Sequence, residues 1–191
     1  LGGSRTLVVP NGADLPTSVP PVVHQQSLLF IGSLDYPPNA EGVRWWVEQV
    51  HALLPQGLPP LTVVGRGSAV LAASPAIQLE GEVPTVEPYL RQASVVVVPL
   101  LSGGGTRLKI IEALAWGRPV VSTSKGAEGL DLTPDEHLLI ADDADHFAAA
   151  VSRLWTEPEL ARRLGAQGRA AVQHLGWHQI GPDLARALRA H

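Results

Sequence analysis

Four consecutive valines, Val95–Val98, stand between Ser94 and Pro99. A run that is apolar at every position offers water no polar face, so it suits a strand buried on both sides of a sheet. Shorter β-branched or apolar runs recur at 7–10, 28–31, 61–65, 77–80, 119–122 and 137–140, with 94–98 among them. Stretches of helical period separate them. This alternation predicts an α/β domain: a Rossmann-like parallel sheet with helices on both faces.

Between the second and third runs, Val43, Trp46, Val47, Val50 and Leu54 follow one helical face, and Asn39 after Pro37 and Pro38 is placed to cap it. Further helices are expected over 68–73, over 86–92, and over 106–116 with Leu108, Ile111 and Ala115 on one face. Another should run over 147–155, capped by Asp143 or Asp145. Beyond Trp155 the helical pattern persists over 158–174 and 182–190 without another strand signal, which predicts a C-terminal helical tail outside the sheet. The break at Gly176 and Trp177 divides the chain into a main domain, 1–177, and a last helix, 178–191, free to leave it.

Composition removes several classes of function. A net charge of −4 with no Lys/Arg run argues against nucleic acid as a partner. The absence of cysteine excludes disulfides and thiolate metal sites. No apolar run approaches the ~18 residues of a membrane span, and no signal-peptide order opens the chain. The sequence contains no Met and starts at Leu1, from which an excised part of a longer protein is expected.

Ligands of open α/β sheets bind beyond the carboxyl ends of the strands. Glycine marks every such end: Gly32-Ser33, Gly65-Arg66-Gly67, Gly81-Glu82-Val83, Gly103-Gly104-Gly105-Thr106, and Gly126 and Gly129 after the 119–122 run. Tight turns account for one such glycine. Three in a row lose more conformational freedom than a turn requires, and a backbone closing on a ligand explains them better.

That loop opens a helix at Thr106, whose free amides and dipole favour an anion. Arg107 and Lys109 then place cations where the dipole disfavours them. Either they are solvated surface charges, or a diphosphate lies against the amides and Thr106 with both cations neutralising it. No Ser or Thr follows Lys109, so this is not a Walker A loop. Glu112, three residues on, either accepts the two hydroxyls of a ribose or pairs with Lys109; spacing permits both. GRGSAV at 65–70 has the outline of a dinucleotide fingerprint but lacks its third glycine, and Glu80 falls too early for its acidic residue. His174 and His178 have metal-ligand spacing but no third ligand, and no GxSxG elbow occurs.

In order, VVPNGAD (8–14), LLFIGSLDYPPNAEGVRWW (28–46), LTVVGRG (61–67), IQLEGEV (77–83), SGGGTRLKIIEALAWGRPVVST (102–123) and KGAEGLDL (125–132) resemble the C-terminal half of a GT-B glycosyltransferase of the group 1, or family 4, type. The likeness extends from about Val8 to Trp177. It implies a nucleotide-sugar donor domain that faces an acceptor domain absent from this chain, and transfer of a hexosyl group with retention to a saccharide or lipid-linked acceptor. The last helix is expected to cross toward that missing N-terminal domain. By position, Glu112 matches the second Glu of the family's E-x7-E motif and would hold the ribose. The first Glu is replaced by Gly104, a departure that bears on sugar recognition and on activity. A second departure follows Gly32, where many members carry Arg and Lys but this chain has Ser33, Leu34, Asp35 and Tyr36.

The expected donor-binding set is therefore Gly32, Ser33, Arg66, Gly81, Val83, Gly103, Gly104, Gly105, Thr106 and Glu112, with Gly81 and Val83 near the base and Arg107 and Lys109 as catalytic cations. No cofactor and no metal are expected; the substrate is a UDP- or GDP-linked sugar. The expected location is the cytoplasm, with peripheral association at the inner face of a membrane left open for the full-length protein. The isolated chain is expected to bind nucleotide without turnover. A non-catalytic nucleotide-sugar binder and a GT-B epimerase are the alternatives, and an NAD-binding Rossmann domain is the outsider.

Overall fold

The computed structural model describes residues 11–67, 71 and 73–189. Six parallel strands form one sheet: β1 (Leu28–Ile31), β2 (Leu61–Val64), β3 (Ile77–Gly81), β4 (Val95–Val98), β5 (Val120–Ser122) and β6 (Leu139–Ile140), in the order β3-β2-β1-β4-β5-β6. Central β1 pairs Leu28 with Leu61 on one side and with Val95 on the other. All four valines of β4 are fully buried, as the unbroken apolar run requires. The run at 7–10 and most of the helix expected over 68–73 lie outside the described residues.

The helices are α1 (Pro37–Trp45), α2 (Glu87–Gln92), α3 (Leu108–Ala115), α4 (Ser124–Ala127), α5 (Ala144–Thr156), α6 (Pro158–Ala171) and α7 (Trp177–Arg189). From the centre of the sheet, α1 leads toward β2 and α3 toward β5, in opposite directions. Right-handed crossovers therefore place them on opposite faces. On one face Trp45 and Trp46 meet Phe147 of α5 edge-on, with ring centroids 5.3 and 6.3 Å apart. On the other, α6 packs on α3.

Several boundaries differ from the sequence expectations. Asn39 does not cap α1: Tyr36 holds the cap position and Pro37 opens the helix, since a proline needs no amide partner there. After Trp45 the helix widens into a π turn over Trp46–Val50. Asp143 caps α5, accepting from the His146 amide at 2.9 Å. On α3, Ile110, Ile111, Ala113, Leu114 and Ala115 are buried while Leu108 is exposed, so the inward face begins later than expected. The last helix starts at Trp177 and carries Pro182 inside it, where the ring cannot donate the usual bond to residue 178.

Residues 11–24 run as a strap beside α3. Ala13 donates to the Leu175 carbonyl at 2.9 Å and accepts from the Trp177 amide at 3.3 Å, bridging the strap to the start of α7. Two arginines lace it down. Arg169 reaches the carbonyls of Ala115 and Pro16 at 2.6 and 2.7 Å. Arg118, with no exposed surface, donates to the carbonyls of Trp116, Pro21, Arg91 and Pro20. Burial holds its guanidinium down to about 10, so it stays charged at neutral pH.

Candidate functional site

The strand order reverses between β1 and β4, and the crossovers that leave them diverge, which opens a crevice at their carboxyl ends. The loops that leave β1, β2 and β3 are zipped side by side: the amides of Gly32, Leu34 and Gly65 donate to the carbonyls of Val64, Arg66 and Gly81 at 2.8, 2.6 and 2.8 Å. Gly65 has φ +144°, and a Cβ there would fall 2.4 Å from the Gly32 carbonyl oxygen. Glycine is required by that approach alone. Ser33 lies on this rim, its hydroxyl accepting from the Asp35 amide at 3.2 Å.

The crevice receives its cation from across the sheet. Lys109 of α3 donates from Nζ to Asn39 Oδ1 at 2.7 Å and stands 4.2 Å from the centroid of the Phe30 ring. Asn39 in turn donates to the Ser33 carbonyl at 2.8 Å, so this side chain orients the lysine instead of capping a helix. Burial, followed by the charge of Arg107, lowers the ammonium to about 7. Sequence reasoning missed Asn39 and Phe30. The signal for Asn39 was a polar residue facing inward from the first turn of α1, where it is 6% exposed.

Arg107 takes a different place from Lys109. The helix begins at Leu108, not Thr106, because Arg107 adopts the left-handed conformation with φ +54°. Its side chain is 4% exposed, and Nη2 lies 3.1 Å from Glu128 Oε2 and 3.3 Å from the Gly103 carbonyl oxygen. It is not a solvated first-turn cation. Glu128 also meets Lys125 Nζ at 2.7 Å, and the hydrogen bond and charge of Lys125, with Arg107 adding to them, hold the Glu128 carboxyl below its ordinary range. Thr106 accepts from Asn11 Nδ2 at 2.8 Å.

The three glycines before Thr106 have different reasons to be glycine. Gly103 and Gly105 have φ +92° and +109°, and a Cβ on Gly103 would also press Pro38 at 2.8 Å. Gly104 needs neither conformational licence nor room, since a Cβ there meets nothing within 4 Å.

Glu112 makes no ion pair with Lys109, so that reading of the spacing falls away. It lines a polar cavity of about 420 Å³ with Asp14, Thr85, Val86, Glu87 and Trp116, just past the Gly81 and Val83 segment. Burial, with Asp14 second, raises its carboxyl above the ordinary value. Arg66 is 64% exposed and sits 3.4 Å from Asp35. Among the described residues, no group of three or more His, Asp or Glu side chains is arranged to hold a metal ion. The structure thus brings Gly32, Ser33 and Lys109 together at the crevice, with the 103–106 loop beside them; it sets Glu112 one turn further along α3.

The family model described as "Glycosyl transferases group 1" matches residues 25–157. The chain belongs to the group 1 glycosyl transferases. Among its relatives in this family, a phosphatidyl-myo-inositol mannosyltransferase of Mycobacterium leprae is 27% identical over 96% of the chain and 53% of that protein. The sucrose-phosphate synthase of Thermosynechococcus elongatus superposes with a TM-score of 0.78 at 25% identity, covering 98% of this chain and 53% of its own. Anabaena HepE, solved in complex with UDP and glucose, superposes with a TM-score of 0.74 at 14% identity, over 89% and 50% of the two chains. The fold is therefore one Rossmann-like unit of the GT-B glycosyltransferases. The chain spans about half, or less, of the length of the relatives it matches. No helix among the described residues is long and apolar enough to cross a membrane.

Proposed function

We propose that this chain is the nucleotide-sugar-binding half of a retaining glycosyltransferase, which moves a hexosyl group from an NDP-sugar to a saccharide or lipid-linked acceptor. One observation carries the reading. At the strand reversal, beside the glycine loop, Lys109 stands desolvated against Asn39 next to Gly32, its Nζ without a carboxylate partner among the described residues. Relatives named as mannosyltransferases, and a fold neighbour solved with UDP and glucose, support it.

In this reading the backbone at Gly81 and Val83 meets the base, and Glu112 accepts the ribose hydroxyls in the cavity it lines. Gly32 and Ser33 flank the phosphates, the amides of residues 103–106 and Lys109 Nζ bind them, and Arg66 guards the rim. Breaking the bond from the anomeric carbon to the diphosphate oxygen leaves charge on the departing group. Fixed amides and a lysine already stripped of water stabilise that charge without a metal, at little cost in reorganisation. Arg107 adds positive potential from behind the loop. The acceptor site belongs to a second domain toward which the helix after Trp177 would cross, so the chain alone binds nucleotide without turnover.

Thermal-shift measurement with UDP, GDP, ADP, TDP and their sugars tests this. A rise in Tm with one of these diphosphates is expected; stabilisation by NAD with indifference to all of them would overturn the reading.

A further inference from the structure

We infer that Arg107, held by Glu128, is a positioning residue that fixes the glycine loop and does not itself touch the ligand. The inference rests on the proposed nucleotide site. A non-glycine residue in the left-handed region is uncommon and is kept where its surroundings demand it. Here the turn at Arg107 sends the side chain back beneath its own loop, and Nη2 grips the Gly103 carbonyl four residues upstream. The intervening residues have little else to hold them. A Cβ at Gly104 or Gly105 would meet nothing within 4 Å, and Thr106 is anchored through Asn11.

The other end of the clamp comes from a different part of the fold. Glu128 follows α4, in the connection after β5, and its carboxylate lies between Arg107 at 3.1 Å and Lys125 at 2.7 Å. The side chain is 4% exposed and its Nη2 already holds both Glu128 and the Gly103 carbonyl, so swinging out to a ligand would break both contacts. Its effect passes through the position of the loop amides.

Two measurements on wild type and Glu128→Gln decide the matter. The first is hydrogen exchange at the amides of residues 103–106 in the ligand-free protein. Faster exchange there in Glu128→Gln, with Tm and exchange in the strands unchanged, is expected; unchanged exchange in the loop overturns the inference whatever the protein binds. The second is titration with UDP and GDP and with the matching monophosphates. Removing a carboxylate near an anion site by electrostatics alone tightens binding, and it would do so if Arg107 touched the phosphates directly. Positioning predicts the opposite sign: Glu128→Gln weakens the diphosphate by about threefold or more, and the monophosphate by no more than that, because the loop amides that bind the phosphates are no longer held in place. Tighter diphosphate binding overturns the inference. If wild type binds none of these nucleotides, the proposed function fails, and the exchange measurement still decides whether Arg107 orders the loop.

Discussion

Lys109 Nζ lies 2.7 Å from Asn39 Oδ1, a neutral acceptor where a carboxylate would be the ordinary partner of a buried ammonium. The pair gives the ammonium no counter-charge among the described residues, so its charged form is disfavoured in the crevice.

Burial lowers Lys109 from 10.5 to about 7, so folding disfavours its charged form. The unfolded chain then binds more protons between these values, and stability should rise with pH across that window and be lowest below it. A bound diphosphate pulls the lysine back toward its charged state. Titration calorimetry of the diphosphate near pH 8 in two buffers of different ionisation enthalpy should show proton uptake. Lys109→Met should abolish the uptake and weaken binding by about 1.5 to 3 kcal/mol. Binding without uptake would remove Lys109 from the phosphates.

Glu112 has the opposite sign. Its carboxyl is raised, so the fold prefers the neutral form, and the associated stability is lost as pH climbs through the raised value. Glu112→Gln should flatten that slope and raise Tm at neutral pH, while costing about 1 to 3 kcal/mol of nucleoside diphosphate affinity. A 2′-deoxyribonucleotide, which keeps only the 3′-hydroxyl, should lose less affinity on this substitution than the ribonucleotide does. A variant with lower stability and unchanged affinity would make Glu112 a packing residue.

The glycine loop should respond unevenly to alanine. Gly103→Ala and Gly105→Ala force a side chain into the left-handed region, at about 1 to 2 kcal/mol each, and Gly103→Ala adds pressure on Pro38. Gly104→Ala should leave stability within about 0.5 kcal/mol. Urea denaturation ranks the three variants, and equal losses would show that the loop differs from this description.

Arg118 should be the costliest surface-distant polar residue to remove. Arg118→Ala strips partners from the carbonyls of Trp116, Pro20, Pro21 and Arg91 and leaves a void, at about 2 to 4 kcal/mol in chemical denaturation. Arg118→Lys should recover little, because one ammonium cannot reach four carbonyls on three segments.

The sheet was readable because strands buried on both faces must be apolar throughout, and β4 is the clearest case. That Gly32, Gly103 and Lys109 gather around one crevice was readable because glycines at strand ends and unexplained helix cations are local features. What escaped is non-local. Arg107 reads like Lys109 in sequence, and only the left-handed turn before Leu108 separates a buried clamp from a crevice cation. The partnership of Asn39 with Lys109 joins residues 70 positions apart, and no spacing rule connects them. Local logic gave Asn39 the wrong task, since the Pro37-Pro38 pair had already started the helix.

The lacing of the strap by Arg118 joins residues 97 and 98 positions apart in the chain. Closing so long a segment is entropically unfavourable until the sheet and α3 offer it a surface to land on. The strap is then expected to dock last and to detach first. Loss of Arg118 would appear in the unfolding limb of a chevron and leave the folding limb almost untouched. Asp14, the strap's carboxylate in the cavity beside Glu112, would come loose with it, so the wall of that cavity would be complete only once the strap has docked.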